Sequence, residues 1–243
     1  MMKWIKKLIK PVVTHPPIAT FFCRLLLHVD NHIDRWTNEL LMYTNQGVHP
    51  KHRLMSYSSF FLNHIDASDR VLDIGCGRGT VANTLAQKAI QVIGIDFNKK
   101  NIDYAQSHYS RSNLRFIQGD ALVNLPSQRF DIIILSSVLE HIEDRTAFLK
   151  KLPMLGSRLL IRVPLITRDW LPLLKREWGI DYRLDDTHYV EYVEDEFKQE
   201  ITQAGWCVTE WNIRFGEIWA VVDYAETIDT SKAGSHIKEK VSL

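Results

Sequence analysis

The sequence predicts an α/β fold built on a doubly wound, mostly parallel sheet, preceded by a helical cap. Three observations carry that reading. From Arg70 onward short β-rich runs alternate with helical stretches. The run Ile132 to Leu135 is apolar at every residue, as a central strand covered on both faces requires. A strand also passes directly into a loop with glycine at every second position, Gly75, Gly77 and Gly79, and then into a helix.

Taken in order, residues 1–29 hold Lys3, Lys6, Lys7, Lys10 and Arg24 and no acidic residue. A helix over Met2 to Lys10 would place Trp4, Ile5, Leu8 and Ile9 on one face and the lysines on the other, the pattern of a peripheral contact with an anionic membrane through residues 1–10. Residues 1–54 form the expected helical cap, with apolar positions such as Phe21, Leu25, Leu40 and Leu41 in a helical stretch from Ile18 to about Ile65. The main domain is expected over 55–225. Its strands are Val71 to Ile74, Gln91 to Ile95, Leu114 to Ile117, Phe130 to Leu135 and Arg158 to Val163, with helices Val81 to Ala89, Lys99 to Tyr109 and Arg145 to Leu152 between them. An insertion spans 164–192. Beyond it, Val193, Phe197, Ile201 and Ala204 recur at helical spacing, Gly205 stops that helix, and Trp206 to Arg214 with Ile218 to Tyr224 form a hairpin turned by Phe215, Gly216 and Glu217. The polar stretch 226–243 lacks periodicity and is expected to be disordered.

Composition excludes several function classes. With 243 residues, 45% hydrophobic and 24% charged, the chain can bury a core without metal or disulfide staples. A net charge of +1 argues against a protein that coats nucleic acid, so no nucleic-acid partner is expected. Cys23, Cys76 and Cys207 are too scattered for a zinc knuckle or a disulfide framework, and a reducing cytoplasm is the expected location. No apolar run reaches the roughly 18 residues of a membrane span. Oligomeric state is not legible.

The glycine loop lets the backbone turn tightly and approach a ligand, while the N–H groups of the next helix face the same crevice. A dinucleotide fingerprint would need glycine at position 80, where Thr80 stands. Asp73, two residues before the first glycine, is costly at a buried strand end unless it meets a cation or several donors. An ammonium group beside the loop would suit it, and S-adenosylmethionine has one. Asp96, at the end of the second strand, is placed for ribose hydroxyls, and Phe97 for an adenine face. Asp120 ends the third strand near the expected adenine amino group. Any of the three acids alone could be a helix N-cap; three in register at one sheet edge point to a ligand.

On the segments Val71 to Thr80 (VLDIGCGRGT), Val92 to Phe97 (VIGIDF), Gln118 to Ala121 (QGDA) and Phe130 to Ile142 (FDIIILSSVLEHI), the chain resembles the class I S-adenosylmethionine-dependent methyltransferases, with their Rossmann-like fold. The resemblance spans about residues 55 to 224. It implies a seven-stranded sheet of order 3-2-1-4-5-7-6 with the last strand antiparallel. It also implies a methyl-donor site built from Asp73, Gly75, Cys76, Gly77, Gly79, Asp96, Phe97, Asp120, Ala121, Leu135 and Ser136. Cys76 reads as a small packed residue there.

Methyl transfer needs alignment and exclusion of water more than a dedicated catalytic group, although a hydroxyl acceptor benefits from a base. His141 and His188 are the candidates. His141 sits in Leu139-Glu140-His141-Ile142 and resembles the Glu-His pair of ubiquinone-pathway O-methyltransferases; the earlier glutamate that completes a metal site there is Ser137 here. Asp185, Asp186, His188 and Glu191 have ligand chemistry but read as a solvated loop, and no metal is assigned. Trp170, Trp178, Tyr182 and Tyr189 are candidates for an aromatic acceptor pocket. The expectation is therefore a methyltransferase acting at oxygen on a small-molecule, glycan or lipid-linked acceptor. A nicotinamide-dependent oxidoreductase and a non-catalytic S-adenosylmethionine-binding scaffold are the alternatives.

Overall fold

The computed structural model describes residues 14–44 and 48–227. The amphipathic segment at residues 1–10 and the tail beyond Thr227 lie outside the described residues.

The sheet has seven strands, β1 Arg70–Ile74, β2 Gln91–Asp96, β3 Leu114–Gln118, β4 Ile132–Ser136, β5 Arg158–Pro164, β6 Trp206–Arg214 and β7 Glu217–Tyr224, in the order 3-2-1-4-5-7-6. The first five pair in parallel, and β7 runs antiparallel to both β5 and β6. The order and the reversed last strand are as expected from the sequence. Alternate residues of one strand feed two separate cores, which is why the central strands carry no polar face. Leu72, Ile74, Ile133 and Leu135 join one cluster with Phe148, Phe197 and Trp206, while Val71, Ile132, Ile134 and Leu160 join the other with Phe61, Leu85 and Phe116.

Among the described residues eight α-helices surround the sheet: α1 Pro16–Thr44, α2 Lys51–Leu54, α3 Tyr57–Asn63, α4 Thr80–Leu85, α5 Lys99–His108, α6 Arg145–Leu149, α7 Trp170–Glu177 and α8 Glu194–Gln203. Pro16 and Pro17 occupy the first turn of α1, where a missing N–H costs nothing. Asn98, Asp144 and Asp169 cap α5, α6 and α7 through their side chains. The first turn of α8 carries Glu194, Asp195 and Glu196, charges that suit the positive end of the helix dipole. Gly205 follows α8 with φ +85°, as expected of a left-handed stop.

Some boundaries differ from the sequence reading. The helix expected over Val81 to Ala89 ends at Leu85. Glu217 joins β7, because a two-residue turn at Phe215 and Gly216, both at positive φ, closes the hairpin. Among its described residues the cap has one 29-residue helix followed by two short ones, and none of the α1 side chains is buried. α1 lies along the insertion on polar contacts: Arg35 to Asp181 at 2.7 Å and Asp186 at 2.6 Å, Lys175 to Asp30 and Asn31 at 2.8 Å, and Arg24 to the Trp178 carbonyl at 2.8 Å. α3 is held differently, with Tyr57, Phe60 and Phe61 packed around Trp219 of β7.

Candidate functional site

β1 delivers the glycine loop to the carboxyl edge of the sheet. Gly75, Gly77 and Gly79 all adopt positive φ, at 68°, 53° and 79°. At Gly79 the reason is also steric, since a Cβ there would lie 2.5 Å from the Phe116 ring. At Gly77 nothing lies within 4 Å, so the backbone is bare towards the cleft, as a ligand's close approach requires.

That cleft is a cavity of about 320 Å³ lined by Asp73, Gly75, Cys76, Gly77, Asn101, Ser136 and Ser137, with His49, His52 and Arg162 opposite. Asp73 is 2% exposed, and one of its carboxylate oxygens has no partner among the described residues. Burial, and then the nearby charge of Asp96, push its carboxyl up to about 7. A buried orphan oxygen in a cleft is the signature of a missing cationic or donor ligand. Asp96 already shapes the loop, accepting from the Gly77 N–H at 2.9 Å, the Asn98 N–H at 2.8 Å and the Asn101 amide at 3.3 Å. Burial pushes the Cys76 thiol far up, so it stays protonated and acts as packing.

The other sequence-predicted donor residues lie around this cavity without lining it. Phe97 is 77% exposed, and Asp120 is exposed and accepts from the Leu122 N–H at 2.8 Å, which is turn-capping geometry. Ala121 is half-buried, and Leu135 is wholly buried in the core beneath. Gly79 caps α4.

A second cavity, of about 500 Å³, opens beside the first and shares His49, His52, Ser137 and Arg162 with it. Its remaining wall comes from Arg35, Asn38 and Glu39 of α1, Tyr57, Glu140, Asp185, Asp186, His188 and Glu217. Most of the lining side chains are charged or polar, with Tyr57, Pro164 and Leu184 also in the lining. Trp170, Trp178, Tyr182 and Tyr189 are not part of it, and Trp170 and Tyr189 face solvent instead.

Arg162 stands between the two cavities. It is buried, donates to Ser136 Oγ at 3.0 Å, Ser137 Oγ at 2.6 Å and both Glu217 oxygens at 2.8 and 2.9 Å, and its guanidinium lies 3.8 Å from the Tyr57 ring centroid. Removing it strands Glu217 in a desolvated site. Arg162→Met is therefore expected to lower unfolding stability by about 3 to 5 kcal/mol, read from urea denaturation.

His52 lines both cavities, and burial first, then the Arg162 charge, lower its pKa to about 4. It is neutral at pH 7. A folded-state value below the unfolded 6.5 means that the unfolded chain binds the extra proton as pH falls, so this stability is present above 6.5 and lost down to about 4. Relative to a His52→Asn variant, the wild type is expected to lose about 3 kcal/mol between pH 6.5 and 4 in denaturation curves.

Glu140 and His188 of the second cavity's wall meet His141 just behind it, each placing one ligating atom within 4.8 Å of the others. Glu140 is 1% exposed, and burial raises its carboxyl to about 7; its Oε2 and the Nδ1 of His188 lack hydrogen-bond partners among the described residues. The His188 Nδ1 lies 3.4 Å from Glu191 Oε1, within ion-pair range but without bonding geometry. His141 packs edge-on against His188 at 4.6 Å, and its Nδ1 meets Thr187 Oγ1 at 2.8 Å, which donates onward to Asp185 Oδ1 at 2.6 Å. The acidic loop itself is committed elsewhere: Asp185 holds Thr187, Asp186 pairs with Arg35, and Glu191 pairs with Arg168. This trio is thus a better cation cage than the loop considered from the sequence.

Sequence reasoning passed over His49, His52, Tyr57 and Arg162, read Glu140 only as half of a Glu-His pair and read Glu217 only as a turn residue. Arg162 left a signal, an arginine inside the otherwise apolar run Arg158 to Val163. The two histidines of His49-Pro50-Lys51-His52 left none, because only the fold brings them over the sheet edge.

Residues 72–153 match a family model described as a methyltransferase domain. Curated relatives named ubiquinone biosynthesis O-methyltransferase include one from Bradyrhizobium diazoefficiens, 36% identical over 118 residues, covering 47% of this chain and 47% of that protein. Another, from Rhodopseudomonas palustris, is 32% identical over 150 residues, covering 58% and 59%. The chain spans about half the length of the curated relatives it matches. Among solved structures, magnesium protoporphyrin IX methyltransferase (ChlM) from Synechocystis with bound SAH shares the fold at a TM-score of 0.58 and 20% identity, over 84% of this chain and 99% of that one. A DhpI-SAH complex does so at 0.58 and 17% identity, over 82% and 97%. Over residues 72–153 the chain is similar to the methyltransferase-domain family, and its strand order and glycine loop agree with that likeness.

Proposed function

We propose that the protein transfers a methyl group from S-adenosylmethionine to an oxygen of a small polar acceptor, free or carried on a lipid. The observation that carries this reading is the pair of joined cavities, one against the glycine loop and one walled by histidines and carboxylates, sharing Ser137 and Arg162 at their junction. The relatives' printed names supply the O-methyl chemistry.

In this reading Gly75, Cys76, Gly77 and Ser136 cradle the amino-acid end of the donor, and the orphan oxygen of Asp73 meets its ammonium. Asp96 holds the ribose, with Phe97, Asp120 and Ala121 beside the adenine at the open edge, Leu135 beneath as the floor, and Gly79 fixing the turn. The donor's sulfonium supplies an already activated methyl group. The acceptor oxygen forms its bond to that methyl carbon as the carbon–sulfur bond breaks with its electron pair staying on sulfur, and the hydroxyl proton passes to His188. His141 positions His188 through edge-on packing, itself held by Thr187 and Asp185. The insertion, 164–192, covers the acceptor side; Trp170, Trp178, Tyr182 and Tyr189 would reach an acceptor only at the outer rim. The same reading takes 55–225 as the catalytic domain with a cap before it, and a weak membrane contact through residues 1–10.

A second reading is favoured by the orphan atoms of Glu140 and His188. Those residues with His141 would hold a divalent cation, which would polarise the acceptor hydroxyl in place of a base. Both readings are tested by incubating the protein with methyl-labelled donor and fractionated polar and lipid extracts, before and after chelation. Labelled product is expected, and no label in any fraction would contradict the transfer. Loss of label on chelation, restored by Mg²⁺, Mn²⁺ or Zn²⁺, selects the cation reading.

A further inference from the structure

We infer that His49 seats the acceptor's reacting oxygen at the junction of the two cavities, donating a fixed N–H to it and so selecting oxygen over nitrogen as the atom that receives the methyl group. The inference rests on the methyl-transfer reading and names what holds the acceptor within it. Transfer requires the incoming atom within about 3 to 3.5 Å of the methyl carbon, which places it where the cavities meet. Among the described residues, His49, His52, Ser137 and Arg162 line both. Arg162 spends its N–H groups on Ser136, Ser137 and Glu217, and Ser137 Oγ takes one of them. The histidines differ. His49 Nε2 and His52 Nδ1 are buried and have no hydrogen-bond partner among the described residues.

The local backbone settles that His49 is a donor. Its Nδ1 accepts from the Lys51 N–H at 3.1 Å, so that lone pair is committed to the turn His49-Pro50-Lys51-His52 from which α2 starts. Burial, and then the Lys51 charge, lower the His49 pKa, so the ring is neutral at pH 7. A neutral imidazole carries one N–H, which here can sit only on Nε2. A buried N–H with no acceptor is costly, and the junction is where an acceptor atom arrives. The same turn is closed by the His52 N–H to the His49 carbonyl at 3.1 Å, and His52 packs edge-on against Tyr57 at 5.1 Å, so the donor is held in place before substrate binds. The choice of atom follows from lone pairs. A hydroxyl oxygen has two, one to accept from His49 and one to attack the methyl carbon, while its own hydrogen passes to His188 and the carbon–sulfur electron pair stays on sulfur. An amine nitrogen has one, which cannot do both. His49 itself neither gains nor loses a proton.

The test uses the full chain with methyl-labelled S-adenosylmethionine and the extract fraction that yields labelled product, in single turnover at saturating donor. His49→Phe keeps a ring but deletes the N–H, and is expected to slow transfer by about ten- to a hundredfold. His49→Gln, whose side-chain amide brings an N–H to the place of Nε2, is expected to stay within about threefold of wild type. Affinity for S-adenosylhomocysteine, titrated separately, should stay within about threefold in both variants, which separates lost positioning from a damaged fold. Transfer by His49→Phe at the wild-type rate would overturn the assignment. An equal loss in both variants would do so as well, because the shape of the side chain rather than its N–H would then matter. Nitrogen-15 spectra of the histidine rings give a reading that needs no acceptor: the wild type is expected to carry the His49 proton on Nε2, and a proton on Nδ1 instead would overturn the assignment. No label from the wild type in any fraction would remove the methyl-transfer reading and this assignment with it.

Discussion

Replacing Asp96 by alanine is expected to weaken S-adenosylmethionine binding by about two to three orders of magnitude in isothermal titration. The carboxylate is buried at the end of β2 and already orders the loop through the Gly77 and Asn98 N–H groups. Two bonds from ribose hydroxyls to a carboxylate are worth about 1.5 to 3 kcal/mol each, and the variant loses both. Loop disorder adds to the loss. An Asp96→Asn variant keeps the shape and one acceptor oxygen, so it should fall between the two. If alanine binds the donor within about threefold of wild type, which is under 1 kcal/mol, Asp96 does not grip the ribose.

His188→Gln carries the other large effect, a fall in kcat of about 10² to 10⁴ with donor affinity unchanged, in single-turnover assays with a labelled acceptor. His188 is buried and lines the second cavity, its Nδ1 without a hydrogen-bond partner among the described residues, 3.4 Å from Glu191 Oε1 and with the Glu140 carboxyl nearby. His141→Gln should cost less, because His141 stands outside that lining and acts by holding the His188 ring. Equal kcat in wild type and His188→Gln would remove the base, and with unchanged response to chelation would remove the cation cage as well.

The parts of this molecule that were legible in its sequence are those governed by local rules. Strand periodicity and the alternating glycines report backbone requirements within a few residues, and the fold has the expected strand order and a positive-φ glycine loop, with Asp73 lining the cavity there and Asp96 accepting from the Gly77 N–H. Long-range packing is where reading stops. The apolar residues of α1 have the spacing of a core-facing helix, yet its polar side is the one that meets the domain, because Asp181, Asp186 and Lys175 of the insertion offer ion-pair partners there. Trp170 and Tyr189 have the composition of a pocket but lie on the outer surface of the insertion, whose ordering comes instead from Arg168 and Arg183. Arg162, His52 and Tyr57 come from β5, α2 and α3 and meet only because the helices before β1 fold back over the sheet edge.

The central claim is that the loop cavity holds the methyl donor and points its sulfur at the neighbouring polar cavity through the junction at Ser137 and Arg162. A crystal structure with S-adenosylhomocysteine tests it most directly. The account expects the ammonium at Asp73, the ribose at Asp96 and the sulfur facing that junction; a ligand bound elsewhere, or with its sulfur turned away from Arg162, would contradict it.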